Sequence, residues 1–204
     1  MEKVTNSAKI FESDLLNKFD KFLLDGSTQS ESEILNVAYS ILKTNSALWD
    51  QEDLARRTNV SPGEVVQNKR NIDKLNQTRN DLIETLDSIV YDHFAINNFP
   101  DTAFRNCETM GSLIDRISIV TLKLHHTNLL SLSGKDIHSS IRLEERKDML
   151  ADQRRDLLES LLWLLEGLNK KTVMFKRYRQ LKMYNDPALN PHLRNEGLKS
   201  AQRS

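Results

Sequence analysis

Glycine and proline are scarce in this chain, which has six glycines and four prolines among 204 residues. A β-sandwich needs frequent turn residues, so this composition favours a helical protein. Cys107 is the single cysteine, which excludes an internal disulfide and fits a reducing compartment. The longest apolar run, residues 161–165, is far shorter than the ~20 residues of a membrane span. Since the N-terminus also lacks the apolar core of a signal peptide, we expect a soluble cytoplasmic protein.

The chain has no net charge, but its charges are unevenly distributed. Residues 169–204 contain nine basic and two acidic residues, a local charge of +7, so residues 1–168 carry −7. Basic and aromatic residues alternate in the stretch 170–184, as in some nucleic-acid-binding segments. The acidic remainder of the chain opposes a long nucleic acid, and we predict that nucleic acid is not the partner. The basic segment could bind a smaller anion, neutralise its own body or contact a second subunit.

Hydrophobic periodicity predicts helices and no strand. The first helix covers about residues 8–24, and the second begins at a capping box formed by Ser30 and Glu33, with a candidate break near Asn45. The third covers about residues 62–94, because Ser61, Pro62 and Glu64 are a cap, a first-turn proline and a capping-box acid.

The fourth and fifth helices complete the predicted bundle. The fourth, near residues 109–131, is apolar on both sides and therefore belongs at the centre of a bundle. The fifth is long and continues to about Tyr184, with an interruption near 167–171. We predict an all-α bundle of about five helices. Residues 1–184 form a single domain, and residues 185–204 form an irregular basic tail.

Several polar residues fall on the predicted apolar stripes. Arg79 lies in the centre of the stripe of the third helix, with Asn76 close to it and Lys69 at its margin. Arg146 and Gln153 fall in line with the leucines of the fifth helix. A buried charge needs a partner, so two interpretations stay open. The groups form a salt-bridge network between helices, or they line a polar ligand pocket inside the bundle.

A ligand site is predicted between the third and fourth helices. Asp73, Asn80 and Glu84 lie within one narrow strip of the third helix and are expected to face Asp115 and Arg116 of the fourth. At the start of the fourth helix the dipole and free N–H groups favour an anion, and the basic segment 176–182 is expected nearby. The candidate ligand-binding residues are Lys69, Asp73, Asn76, Arg79, Asn80, Glu84, Glu108, Ser112, Asp115, Arg116 and Lys182.

The metal signals are weak. The five histidines have no zinc-ligand spacing. Asp81, Glu84 and Asp87 step along one side of a helix, as acids do in helical pyrophosphohydrolases that hold magnesium, and Asp81 and Glu84 are the candidate Mg²⁺ ligands. Magnesium usually needs carboxylates that converge from more than one element, so no metal is firmly predicted.

Five stretches together resemble an uncharacterised family of bacterial proteins known as a domain of unknown function. They are NSALWDQEDLARR (45–57), KRNIDKLNQTRNDLIETLD (69–87), ETMGSLIDRISIVTLKLHH (108–126), DQRRDLLESL (152–161) and FKRYRQLKMYNDPALNP (175–191). They cover about half of the chain in order. Genes of that family often lie near glycosyltransferases for surface polysaccharide. The resemblance therefore implies a helical cytoplasmic protein linked to sugar transfer, with a glycosyltransferase as a candidate partner. It implies no catalytic residues.

Two functions follow from these observations. The first is a binding or accessory protein for a sugar nucleotide or phosphate in surface-glycan metabolism. The second is a magnesium-dependent enzyme that acts on a nucleotide or phosphorylated substrate. The wide apolar helix faces, with Trp49 and Trp163, also predict a homo-oligomer.

Overall fold

The computed structural model describes residues 2–25, 32–132, 137–179 and 188–191. Within this part of the chain the elements are α1 (Glu2–Asp25), α2 (Glu33–Ala55), α3 (Pro62–His93), a 3-10 turn (Ile96–Asn98), β1 (Phe104–Asn106), α4 (Met110–Leu132), α5 (Ile137–Lys170) and β2 (Val173–Phe175). The predicted all-α bundle of about five helices is confirmed. None of the described helices is both long and apolar enough to cross a membrane.

Helix α4 is the centre of the bundle, as its sequence predicts. It packs against all four other helices, while α2 packs along α3 and α1 covers part of α5. The apolar side chains along one side of α4, from Met110 to Leu124, are buried, and Leu122 on the other side is buried as well, as the two-sided apolar pattern predicts. Because α4 buries apolar side chains on both sides, it fixes the positions of the helices around it.

The helix starts follow their capping signals. Ser61 and Glu64 form the predicted capping box at the start of α3, with Pro62 in its first turn. The observed N-cap of α2 is Ser32, whereas the predicted Ser30 lies outside the described residues. The predicted break near Asn45 is wrong, because α2 is continuous and the Asn45 side chain is buried against α4.

Two short strands contradict the expectation of no strand. β1 pairs in parallel with β2, with Phe104 opposite Val173 and Asn106 opposite Phe175. The chain reaches this pairing because α5 ends at Lys170 and Lys171 adopts a left-handed backbone conformation, φ 55°. The interruption predicted near residues 167–171 is therefore confirmed. The predicted helical continuation toward Tyr184 is wrong over residues 171–179, and residues 180–187 lie outside the description.

Polar residues placed on the α5 stripe do not need buried partners. Arg146 and Gln153 are exposed, whereas Leu157, Leu161 and Leu164 further along the helix are buried. The two polar residues lie in the first half of α5, where no residue from 141 to 156 is fully buried. The predicted stripe of α5 was too long at this end.

Candidate functional site

A cleft of about 350 Å³ opens between α2, α3 and α4. This volume is at the lower end of the range for small-molecule sites. Its apolar wall consists of Leu48, Ile119 and Leu122. The polar and aromatic lining is Asn45, Trp49, Glu52, Asp53, Arg56, Asn76, Arg79 and Lys123. Three cations and two carboxylates therefore border the cleft, and Arg56 pairs with Glu52 at 3.2 Å.

Behind the cleft, a buried polar network joins α2 to α4. The Nδ2 of Asn45 donates to Oδ1 of Asp115 and to Oγ of Ser118, each over 2.8 Å. Ser118 in turn donates to the backbone carbonyl of Asp115 at 2.8 Å. Burial raises the pKa of the Asp115 carboxyl, while the Asn45 hydrogen bond and the Arg79 charge act in the opposite direction. Because Asn45 comes from a continuous helix, the network is fixed by the backbone on both sides.

Arg79 links the cleft to this network. Its Nε lies 4.0 Å from Oδ1 of Asp115, which is an ion pair but not a hydrogen bond. The Nε is buried and has no hydrogen-bond partner, and Arg79 donates to no side chain or backbone oxygen among the described residues. The side chain is 27% exposed, and it lines the cleft. The guanidinium therefore presents donors that the described protein does not satisfy.

Trp49 gives the cleft a flat aromatic wall. Its ring stacks on the His126 ring with centroids 4.2 Å apart and planes 3° apart. Burial lowers the pKa of His126, and the neighbouring His125 acts in the same direction, which favours the uncharged imidazole at neutral pH. A rigid, uncharged aromatic stack supplies a surface on which a planar ring can lie.

At the start of α4, where the sequence predicts an anion site, carboxylates of the protein itself accept from the nearby donors. Ser112 donates to Glu108 at 2.7 Å, and Arg116 pairs with the same carboxylate at 3.0 Å. The amide of Gly111 donates to Asp87 of α3 at 2.7 Å. Asp87 and Glu108 thus occupy the positions that an external anion would need.

The structure does not bring Asp73, Asn80 and Glu84 into one site with Asp115 and Arg116. Asp115 points toward Arg79, whereas Arg116 points outward to Glu108. Asp73 is exposed and pairs with Lys69 on its own helix, and Asn80 is buried. Consecutive residues on a helix point about 100° apart, so Asp115 and Arg116 cannot share one ligand face.

Glu84 lies in a second groove, together with Asp81, Asp87 and Arg177. Arg177 pairs with Asp92 at 3.6 Å, so the described part of the basic segment lies here rather than near Asp115. In the described ranges no three His, Cys, Asp or Glu side chains are placed to hold a metal ion. The magnesium interpretation of Asp81 and Glu84 therefore gains no support, and Lys182 lies outside the described residues.

Of the candidate residues, the structure brings Asn76 and Arg79 together in the cleft and places Asp115 behind them. Sequence reasoning missed Asn45 and the cleft roles of Trp49, Arg56 and Lys123. A signal for Asn45 was present, since it follows Ile41 and Leu42 and precedes Leu48 on one helical stripe. Asn45 was interpreted as a helix break rather than as a buried polar residue.

Residues 35–177 match the family described as "Protein of unknown function (DUF4254)". The chain belongs to the DUF4254 family. The matched DUF4254 region contains every residue that lines the cleft, and α1 lies outside it. Neither the curated proteins nor the solved structures include a significant match to the chain.

Proposed function

We propose that this DUF4254 domain binds a small anionic ligand, a phosphate or a sugar nucleotide, in the cleft between α2, α3 and α4. The observation that carries the proposal is Arg79, which lines the cleft and makes no hydrogen bond to the described protein, its nearest carboxylate oxygen being 4.0 Å from Nε. A guanidinium binds phosphate oxygens through paired N–H donors, and leaving such donors unsatisfied costs free energy. Lys123 and Arg56 at the same cleft add positive charge.

The apolar part of the cleft favours a ligand that carries a ring as well as an anionic group. Trp49 is held flat by its stack on His126, and Leu48, Ile119 and Leu122 supply the rest of the wall. Small-molecule sites commonly combine such an apolar lining with a few fixed polar groups. A nucleotide base or a sugar ring against Trp49, with its phosphate toward Arg79, fits this distribution.

The wider role that we propose is an accessory one in glycosyl transfer or surface-glycan metabolism, in the cytoplasm and beside a glycosyltransferase. That role is supported by the family resemblance alone.

Tryptophan fluorescence tests the binding proposal. The chain has two tryptophans, so Trp163→Phe leaves Trp49 as the single reporter in the cleft. Titration with inorganic phosphate, uridine diphosphate and a uridine diphosphate sugar should change the emission of this variant. We expect the nucleotide-containing probes to bind more tightly than phosphate, because they also place a ring against Trp49.

Arg79→Gln in the same background should weaken binding at least about tenfold, because a hydrogen bond to a charged group contributes about 1.5–3 kcal/mol. Arg70→Gln is the matched control, since Arg70 is exposed on the same helix and does not line the cleft. The proposal is rejected if none of the three probes changes the emission, or if Arg79→Gln and Arg70→Gln bind equally well.

Self-association stays a separate prediction. Trp163 is 50% exposed and packs edge-on against Phe104, which is 59% exposed. Exposed aromatic pairs of this kind are common at protein interfaces. Light scattering at high micromolar concentration should show a species larger than the monomer, and a monomer there would exclude it.

A further inference from the structure

We infer that the anionic group of the ligand replaces Asp115 as the counter-ion of Arg79, so that binding is coupled to protonation of Asp115. The inference rests on the proposed function, because it concerns the same cleft. It adds a regulatory property, which is that affinity for an anion depends on pH through a residue that the ligand does not touch.

The coupling follows from the position of Arg79 between the two anions. Arg79 lines the cleft, whereas Asp115 does not. The Asp115 side chain is 14% exposed, and its carboxylate lies 4.0 Å from Nε of Arg79. At that separation without a hydrogen bond, the guanidinium is free to turn its donors toward the cleft. A ligand oxyanion bound there would share the charge of Arg79 with Asp115 and would repel the Asp115 carboxylate.

Few charges compete for Asp115. From α2 it faces the neutral Asn45, from α3 it faces Arg79, and on α4 its neighbour Ser118 is neutral. Arg116, the next residue, is turned away and paired with Glu108. The remaining titratable and charged groups of the cleft are Glu52, Asp53, Arg56 and Lys123, with His126 behind Trp49. Arg79 is thus the one charged side chain in contact with Asp115 in the described part of the chain.

The direction of the effect follows from linkage. Burial already raises the pKa of Asp115, and a second anion at Arg79 raises it further. The complex therefore holds more protons than the free protein, and binding takes up a proton. Affinity should increase as the pH falls, by at most tenfold per pH unit for one coupled proton, until Asp115 is protonated in the free protein as well.

Calorimetry with a uridine diphosphate sugar measures this coupling on the full chain without any substitution. The diphosphate of this probe is esterified at both ends, so its charge does not change between about pH 5 and pH 8, where protein stability is usually greatest. Titrations in two buffers of different ionisation enthalpy give the number of protons taken up. We expect a positive fraction of one proton and an affinity that declines as the pH rises.

Asp115→Asn should bind the probe at least as tightly as the original chain, with no proton uptake and no pH dependence. Asp53→Asn is the matched control. It removes a carboxylate that lines the cleft but does not contact Arg79, so this variant should keep the proton uptake. His126→Gln removes the titratable imidazole behind Trp49, and this variant should keep the pH dependence of binding as well.

The outcomes separate this inference from the proposed function. Absence of probe binding at every pH would reject the proposed function. Binding without proton uptake would leave the proposed function intact and overturn the inference. Loss of the pH dependence in His126→Gln, with its retention in Asp115→Asn, would also overturn it. If Asp115→Asn does not fold, proton uptake that is retained in both His126→Gln and Asp53→Asn still supports the inference, and its loss in either variant overturns it.

Discussion

Asn45 and Asp115 are 70 positions apart in the chain, and the side-chain amide of Asn45 donates to the Asp115 carboxylate over 2.8 Å. The contact joins α2 to the central α4 immediately behind the cleft. It also fixes the position of the Asp115 carboxylate, which is the counter-ion of Arg79. Packing of the helices and the chemistry of the cleft therefore depend on the same buried amide.

Replacing this amide should destabilise the fold. Asn45→Ala removes the donor to both Asp115 and Ser118 and leaves a partly buried carboxylate short of a partner. We expect a loss of about 1–3 kcal/mol in the free energy of unfolding, measured by urea denaturation. Asn128→Ala is the control, because Asn128 is exposed on α4 and should change stability by less than about 0.5 kcal/mol. Equal losses in the two variants would show that the buried network contributes nothing.

Arg79→Ala should also destabilise the protein, but by less than the loss of one charge from a fully buried ion pair. Loss of one member of a fully buried ion pair costs about 3–5 kcal/mol. Arg79 is 27% exposed and 4.0 Å from its carboxylate, so we expect about 1–2 kcal/mol at neutral pH. The loss should shrink on acidification, because protonated Asp115 no longer needs a counter-ion. Urea denaturation at neutral and acidic pH, with Arg70→Ala as control, measures both effects. A loss independent of pH would contradict the pairing.

The sequence was sufficient to predict the helices, because their signals are local. Ser61, Pro62 and Glu64 define the start of α3 within four residues, and the two-sided apolar pattern of α4 identifies the central helix. The strand pair could not be predicted in this way. β1 and β2 are three residues each and are separated by two helices, so neither carries a recognisable alternation of its own.

The cleft was predictable only in part. Arg79 is anomalous in its own stripe, and so it was recognised from helical periodicity. The rotation of α3 relative to α4 is set by packing, and it decides which polar residues face each other. Asp73 and Glu84 share a strip with Asn80 in sequence, yet the three have different environments. Periodicity assigns a residue to a face of its helix, but it does not identify the neighbour of that face.

Gly111 is required by the close approach of α4 to α3. A Cβ at this position would lie 2.7 Å from the Ile83 carbonyl oxygen and 2.9 Å from Oδ1 of Asp87. Gly111→Ala should therefore force the helices apart and cost about 1–3 kcal/mol despite the better helix propensity of alanine. Gly63→Ala is the matched control, since nothing but Ser61 lies within 4 Å, at 3.8 Å, and it should be neutral or stabilising. Similar denaturation midpoints for both variants would contradict this contact.

Asp87 should make the stability of the protein depend on pH. It is a buried carboxyl that accepts hydrogen bonds from the amide of Gly111 and the side chain of Thr109 at the start of α4. Burial raises its pKa from 3.8 to about 6, although these two hydrogen bonds act in the opposite direction. The folded state therefore holds a proton that the unfolded state releases between about pH 4 and pH 6. The contribution of Asp87 to the free energy of unfolding should therefore fall as the pH rises from about 4 to about 6, and it should stay constant above that interval.

The substitution Asp87→Asn isolates that contribution. An asparagine oxygen can still accept from Gly111, but the side chain carries no charge to desolvate. At neutral pH the variant should be more stable than the original chain, by up to about 3 kcal/mol, the free energy that corresponds to the raised pKa. Below about pH 4 the advantage should disappear, because Asp87 is then protonated in both states. Denaturation profiles at intervals from about pH 4 to pH 7 measure the difference. An Asp87→Asn variant that is less stable at neutral pH, or that retains the full pH dependence, would show that ionised Asp87 stabilises the start of α4.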